Sequence, residues 1–354
     1  MLLLFVIAGE IQLINSQSEN IEYDYGIRVN LGGEIGSGHF YRCLAIANEL
    51  TNHNKKVVFL IKNEEMFISH IGTNSYPYIV IEGNTQQKEL INCKERLSKI
   101  KNLIIDVEAQ NQTYSKYFQK LCNTAIIDDL GGIIVYSEIL FNGHMVKKFH
   151  RYEKANKNNK IFLGPNFMPL REEFLQERKN VTISKKPIKK ILISFGGSDD
   201  LGLTAKIAKF FINKNYDVTY VLGPSYQKKK TFQEWAEKYS NFHIENSVKK
   251  MANLFTKQDL VISSAGITTY ELACLGIPSI FIPLNSYQVH TAKEMMKFGF
   301  GMDYDTWDNE FTKLDIMINE FNYQKRERMF EVGRKIVDGK GSIRISENLR
   351  KLWK

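Results

Sequence analysis

From residue 27 to the end of the chain, short apolar runs alternate with longer amphipathic stretches. In the first half the apolar runs are Ile27–Leu31, Val57–Ile61, Tyr78–Ile81, Leu103–Ile105, Ala125–Ile127, Ile139–Phe141 and Ile161–Leu163. A continuous apolar run of this length between helical stretches is what a strand buried on both faces requires, so the pattern predicts parallel βα units. The polar, basic stretch from Gln176 to Lys190, which contains Pro187, interrupts it. It restarts with Ile191–Phe195, Val218–Leu222, Phe242–Ile244, Leu260–Ile262 and Ser279–Ile282. The expected fold class is α/β, with two doubly wound parallel-sheet domains facing a cleft and ligand sites at the carboxyl ends of the strands. The expected layout is an extension over 1–26, domains over 27–175 and 191–354, and a linker over 176–190. Within the extension, Leu2 to Ala8 is apolar but too short to span a bilayer and lacks a basic flank, so no stable membrane insertion is expected.

The stretch Gly36-Ser37-Gly38-His39 closes the first apolar run and opens an amphipathic one that continues to Leu50. Read as strand, glycine turn and helix start, it lets the backbone approach a ligand closely, and the unpaired N–H groups suit an anion such as a diphosphate. His39 then either stands where phosphate or sugar sits or merely caps the turn. Asp106, after Leu103–Ile105, and the pair Asp128-Asp129, after Ala125–Ile127, fall at carboxyl ends of strands. There they bind sugar hydroxyls or orient His39, or one of the pair caps the turn into Gly131-Gly132. Arg171, in the segment after the last strand of the first half, either clamps an anion bidentately or pairs with a neighbouring acid such as Glu172 or Glu173.

The second half repeats this turn logic. Gly196-Gly197-Ser198-Asp199 follows an apolar run and precedes a helical stretch from Leu203, as a phosphate-friendly turn or an N-cap. In Ser263-Ser264-Ala265-Gly266-Ile267-Thr268-Thr269-Tyr270-Glu271 a buried strand passes through small residues straight into a helix. Ser264, Ala265 and Gly266 leave room for a diphosphate, Thr268 or Thr269 adds a hydroxyl, and Glu271 either takes both hydroxyls of a ribose or is a solvated first-turn acid. Asn285 and Gln288, in the next polar loop, are uncharged contacts for sugar or phosphate, or simply loop polarity.

Charge narrows the partners. The net charge of +9 is concentrated in short runs such as Lys185-Lys186 with Lys189-Lys190, and Lys228 to Lys230, without interleaved aromatics. Such runs read as solvated loops, and no nucleic-acid partner is expected. Cys43, Cys93, Cys122 and Cys274 are scattered without Cys-x-x-Cys or zinc-like spacing, which reads as reduced core cysteines of a cytoplasmic protein and no metal site. The histidines other than His39 share no short spacing and are expected in core or surface positions, His290 standing nearest a turn of interest.

Taken in order, these stretches resemble the pseudaminic-acid pathway UDP-sugar hydrolase family, related to spore-coat polysaccharide proteins and the glycosyltransferase-B fold. The resemblance rests on Ile35-Gly36-Ser37-Gly38-His39 with Arg42-Cys43-Leu44, on Ile127-Asp128-Asp129, on Gly164-Pro165 with Leu170-Arg171-Glu172-Glu173-Phe174, on Gly196-Gly197-Ser198-Asp199, and on Ala265-Gly266 with Glu271 through Pro278. It implies hydrolysis of UDP-2,4-diacetamido-2,4,6-trideoxy-β-L-altropyranose, without a metal or other cofactor, in pseudaminic acid or surface-glycan biosynthesis. By position it makes His39 the general base for the attacking water, adds Arg42 to the substrate-binding set, and has Ser264, Ala265, Gly266 and Glu271 hold UDP. Two positions depart from the family pattern: Asp106-Val107-Glu108 stands for Asp-His-Tyr, and Tyr287-Gln288 for Asn-Gln. A glycosyltransferase of the same fold, with His39 deprotonating an acceptor hydroxyl, and a non-catalytic nucleotide-sugar-binding module are the alternatives.

Overall fold

A computed structural model describes residues 2–7, 10–15, 22–30, 38–63, 76–83, 85–196, 199, 201–223, 226, 229–246, 248, 250–305 and 311–353. The chain divides into two compact units, Met1–Arg171 with Lys340–Lys354, and Glu172–Gly339.

The first unit runs β1 (Leu2–Ile7), β2 (Glu10–Asn15), β3 (Tyr23–Val29), α1 (Gly38–Asn52), β4 (Val57–Ile61), β5 (Tyr78–Val80), α2 (Gln86–Arg96), β6 (Ile100–Asp106), α3 (Asn111–Phe118), β7 (Asn123–Ile127), β8 (Ile133–Val135), β9 (Ile139–Asn142), β10 (Tyr152–Lys154) and β11 (Lys160–Leu163). Its 9-stranded sheet has the order β11-β9-β7-β6-β3-β4-β5-β1-β2. The pairs from β11 to β5 are parallel, while β1 is antiparallel to both β5 and β2. The apolar runs became strands because their residues are buried on both faces, as in Val57–Ile61 and Leu103–Ile105.

Three boundaries differ from expectation. The first parallel strand starts at Tyr23, not Ile27, and residues 2–7 and 10–15 extend the same sheet. Asp24 and Gly26, residue types depleted in strands, hide that start, and the same strand carries Arg28. That arginine is fully buried, and its charge is met by Glu89 of α2, which also accepts from the Tyr114 hydroxyl. Residues 172–180, partly assigned to a linker, are instead helical, as the next helix and a 3-10 turn. The third difference lies at the end of the chain. The last helix, Gly341–Leu352, belongs to the first unit and not to the second. There Ile345 and Leu349 join the core that holds Ile46 and Leu50 of α1, and the Trp353 indole donates to Glu138 at 2.6 Å. Its start leaves no room for a side chain, since a Cβ on Gly341 would lie 1.9 Å from the Met168 carbonyl oxygen.

The second unit runs α4 (Glu172–Glu177), β12 (Lys190–Ser194), α5 (Leu203–Phe211), β13 (Asp217–Leu222), α6 (Lys229–Lys238), β14 (Phe242–Asn246), α7 (Met251–Phe255), β15 (Leu260–Ser263), α8 (Thr268–Leu275), β16 (Ser279–Phe281), α9 (Ser286–Lys297), β17 (Met302–Asp303), α10 (Leu314–Asn319) and α11 (Tyr323–Ile336). The final helix above is α12. The 6-stranded sheet is parallel throughout, in the order β14-β13-β12-β15-β16-β17. The chain leaves β12 toward β13 on one side and returns to β15 on the other, so the carboxyl ends of β12 and β15 flank the switch point where doubly wound sheets take ligands.

Candidate functional sites

In the first unit the sheet order β9-β7-β6-β3 brings neighbouring strand ends together, and Val29 pairs with Asp106 across β3 and β6. His39 and Arg42 sit in the first turns of α1, three residues apart and therefore on one helix face. Asp106 ends β6, Asp129 follows β7 and His144 follows β9. Residues remote in sequence thus gather at the carboxyl ends of neighbouring interior strands.

Asp106 is fully buried and accepts from four donor atoms on three side chains. Arg42 donates Nε to Oδ2 at 2.7 Å and Nη2 to Oδ1 at 2.6 Å, and the Cys43 thiol donates to Oδ2 at 3.2 Å. His39 Nδ1 stands 2.7 Å from Oδ1. The Arg42 Nη1 corner reaches both oxygens of Asp129, at 2.7 and 2.6 Å. One guanidinium therefore bridges two carboxylates, and the imidazole leans on the first of them.

The tautomer of His39 follows from these contacts. Arg42 Nη2 is also 2.8 Å from Nδ1. An unprotonated Nδ1 would turn its lone pair toward an anionic oxygen at 2.7 Å, whereas a protonated Nδ1 donates to Asp106, which Nη2 also serves. We therefore place the proton on Nδ1, which leaves the Nε2 lone pair available, 4.0 Å from Asp129 Oδ2. The carboxylates keep their charge. Burial pushes Asp106 upward, but Arg42 and His39 outweigh it and hold the group well below the usual carboxylate range. Asp129 is lowered in the same way, with Arg42 the main opposing charge. Burial, reinforced by Asp106, pushes the Cys43 thiol well up, so it stays protonated and able to donate.

Of the two roles open to the aspartate pair, Asp128 takes the turn cap. Its carboxylate caps the following turn, accepting from Gly131 N–H at 2.8 Å and from the Tyr152 hydroxyl at 2.7 Å. The pair thus divides, with Asp128 holding the turn and Asp129 facing Arg42. Arg171 lies with its guanidinium 4.9 Å from the ring centroid of Tyr41 on α1. Gly36 and Ser37 lie outside the described residues, and Gly38 begins α1.

Sequence reasoning missed two members of this cluster. In the sequence Cys43 reads as a core cysteine, although its place four residues after His39 puts it on the same helix face. His144 is buried behind Phe149, its ring edge-on at 5.0 Å, and burial lowers its pKa to about 4 against the opposing charge of Asp129. No local pattern marks it, because only the strand order brings it near Asp129.

In the second unit, Ser264, Ala265 and Gly266 connect β15 to α8. A Cβ on Gly266 would lie 3.8 Å from Gln288 Nε2 and 4.0 Å from Ser264 Oγ, so these three polar or small positions share one small space. Thr268 opens α8, and the buried Thr269 hydroxyl in the same turn has no hydrogen-bond partner among the described residues. Glu271 is largely buried at 8% exposure rather than a solvated first-turn acid. Asn285 caps α9 by accepting from Gln288 N–H at 2.9 Å, and Gln288 Oε1 accepts from Leu284 N–H at 2.9 Å, which leaves its Nε2 toward Gly266. Gly196 has a φ of +90° with open space where a Cβ would stand. Asp199 accepts from Leu203 and Thr204 N–H at 2.9 and 2.8 Å and so caps α5; Gly197 and Ser198 lie outside the described residues. Among the described residues no group of His, Cys, Asp and Glu is arranged to hold a metal ion, and no helix is long and apolar enough to cross a membrane.

Residues 191–342 match the Glycosyltransferase family 28 C-terminal domain. The spore coat polysaccharide biosynthesis protein SpsG of Bacillus subtilis is 24% identical over 93% of this chain and 98% of its own length. An uncharacterized protein of Methanocaldococcus jannaschii is 31% identical over 75% of this chain, which spans only 56% of that relative. The pseudaminic acid cytidylyltransferase and UDP-2,4-diacetamido-2,4,6-trideoxy-beta-L-altropyranose hydrolase of Helicobacter pylori is 25% identical over 80% of this chain and 49% of its own length. Among solved structures, MurG of Acinetobacter baumannii superposes with a TM-score of 0.65 at 16% identity, covering 93% of this chain and 99% of that one. The spinosyn rhamnosyltransferase SpnG gives 0.61 at 12% identity, over 92% and 100%. The protein is thus an α/β chain of two units with largely parallel sheets and the fold of the glycosyltransferase-B enzymes.

Proposed function

We propose that the protein transfers a glycosyl group from a UDP-sugar to an acceptor hydroxyl, with His39 as general base. The observation that carries this reading is the Asp106–His39 pair, which leaves Nε2 as the unprotonated nitrogen. In the reaction Nε2 takes the acceptor proton as the acceptor oxygen bonds to the anomeric carbon. The bond from that carbon to the diphosphate oxygen breaks, and the electron pair leaves with UDP. Asp106 stabilises the imidazolium that forms. Ser264, Ala265, Gly266, Thr268, Glu271 and Gln288, with the Gly196 turn, are assigned to the nucleotide, and Arg42 and Asp129 to ordering the base. The family match over residues 191–342 supports a nucleotide-sugar donor.

A second reading, hydrolysis of a UDP-diacetamido-trideoxy-hexose with water in place of the acceptor, is supported by the hydrolase named in the Helicobacter pylori relative and by its 25% identity over 80% of this chain. The two readings differ only in what Nε2 deprotonates. The test is UDP release from a panel of UDP-amino sugars, with and without acceptor glycans and with chelator present. Release that depends on acceptor supports transfer, and equal release in buffer alone replaces it with hydrolysis. Tight UDP binding with no turnover on any donor sinks both and leaves a binding module.

A further inference from the structure

At the end of the second unit opposite Gly196 and Ser264, before β12 and β13 begin, lies a cavity of about 330 Å³. Lys185, Ile188, Tyr216, Phe321, Asn322 and Arg326 are among its lining residues, and no Asp or Glu is. Arg326 decides what it is for. The residue is 2% exposed, yet among the described residues no carboxylate pairs with it. Nη2 donates to the Lys186 carbonyl at 2.7 Å, and Nε has no hydrogen-bond partner. A buried guanidinium without an anion is costly, since its desolvation is not offset.

The surroundings add to the same sign of potential. α11 begins at Tyr323, with Asn322 as N-cap, so the positive end of a fourteen-residue helix opens beside the cavity. The Asn322 side-chain oxygen accepts from Lys325 N–H at 2.9 Å, which leaves its amide N–H₂ as a donor. Lys185 lies with Nζ 5.7 Å from the Tyr323 ring centroid. The nearby acid Asp315 is bound to Lys214, and Glu320 to Lys325. Against these donors stand the apolar walls of Ile188, Ile318 and Phe321.

We propose that this cavity binds a small organic anion, with a phosphate or carboxylate head held by Arg326, Lys185 and the start of α11, and an apolar body resting on Phe321 and Ile318. The volume falls at the lower end of the range for small-molecule sites, which fits a compact ligand. The site is separate from the residues assigned to the nucleotide.

The test is thermal-shift and calorimetric titration of the full chain with phenyl phosphate, benzoate and inorganic phosphate, against wild type, Lys185→Gln and Arg326→Gln. Phenyl phosphate or benzoate is expected to stabilise the wild type, the more effective of the two identifying the head group. Lys185→Gln, an exposed change that leaves the core intact, is expected to weaken that binding about tenfold, the loss of one charge-assisted contact. Arg326→Gln is expected to abolish it, while both variants keep wild-type UDP binding. Absence of stabilisation by either organic anion, or wild-type affinity in Lys185→Gln, overturns the site. An equal effect from inorganic phosphate alone overturns the apolar part of the assignment.

Discussion

His39 Nδ1 and Asp106 Oδ1 stand 2.7 Å apart although 67 positions separate them in the chain. The contact exists because β3 and β6 are neighbours, so the helix that follows one strand starts beside the last residue of the other. With the Nδ1 proton committed to Asp106, Nε2 is the atom that can accept a proton. Replacing His39 with Asn is expected to lower turnover by roughly two to four orders of magnitude, the range for losing a general base, with UDP affinity retained. Steady-state kinetics and UDP titration check both parts, and unchanged turnover removes His39 from the chemistry.

Cys43 is expected to matter through its donor rather than its volume. Its thiol is one of the four donors on Asp106, at 3.2 Å, and its removal leaves the carboxylate freer to turn. Cys43→Ser keeps a donor and is expected to hold kcat within about twofold. Cys43→Val keeps the apolar contact, and is expected to lower kcat about five- to tenfold at unchanged KM, in line with one lost hydrogen bond of about 1 kcal/mol. Parallel losses in both variants, tracking melting temperature, would make the residue a packing element only.

Acid is expected to weaken the fold in two steps. Burial lowers the pKa of His144 to about 4 in the folded chain, against about 6.5 when unfolded. The unfolded state therefore binds more protons between these values, so the stability from a neutral His144 is complete above about pH 6.5 and is lost as pH falls toward 4. The full difference is roughly 3 kcal/mol. Asp106 and Asp129, both lowered, contribute stability that is present above their unfolded pKa near 4 and lost only below it. Urea denaturation from pH 7.5 to 4.5 is expected to show a shallower fall in His144→Gln than in wild type. Identical slopes would contradict the assignment.

Gly276 ends α8 in the left-handed region, at φ +77°, and its N–H closes back on Leu272 at 2.8 Å. A Cβ there would lie 2.7 Å from the Phe330 carbonyl oxygen of α11. Gly276→Ala thus combines an unfavourable backbone with a clash against main chain, and is expected to lose about 2–4 kcal/mol in chemical denaturation. A loss below about 0.5 kcal/mol would mean that α11 shifts freely.

Much of the fold was legible because its strands are buried on both faces and therefore read as continuous apolar runs. The exceptions are instructive. Asp24 and Gly26 disguised the start of β3, and the Arg28 inside it is acceptable only because Glu89 and Tyr114 from other elements meet its charge. The short strands β8, half-buried, and β10, mostly exposed, are only three residues each and carry too little pattern to register. At the site, residue types at strand ends pointed to His39, Asp106 and the Asp128-Asp129 pair, but which aspartate faces Arg42 depends on Tyr152 and Gly131 claiming the other.

By itself, then, the chain's pattern determined the parallel strands of the two sheets and the histidine at the head of α1, because backbone periodicity is a local property. Strand order, the return of α12 to the first unit, the four donors on Asp106 and the uncompensated Arg326 were decided only by tertiary structure. The physical reason is common to them all. Each depends on which groups, far apart in the chain, are left to satisfy a buried charge or hydrogen bond once the elements have packed.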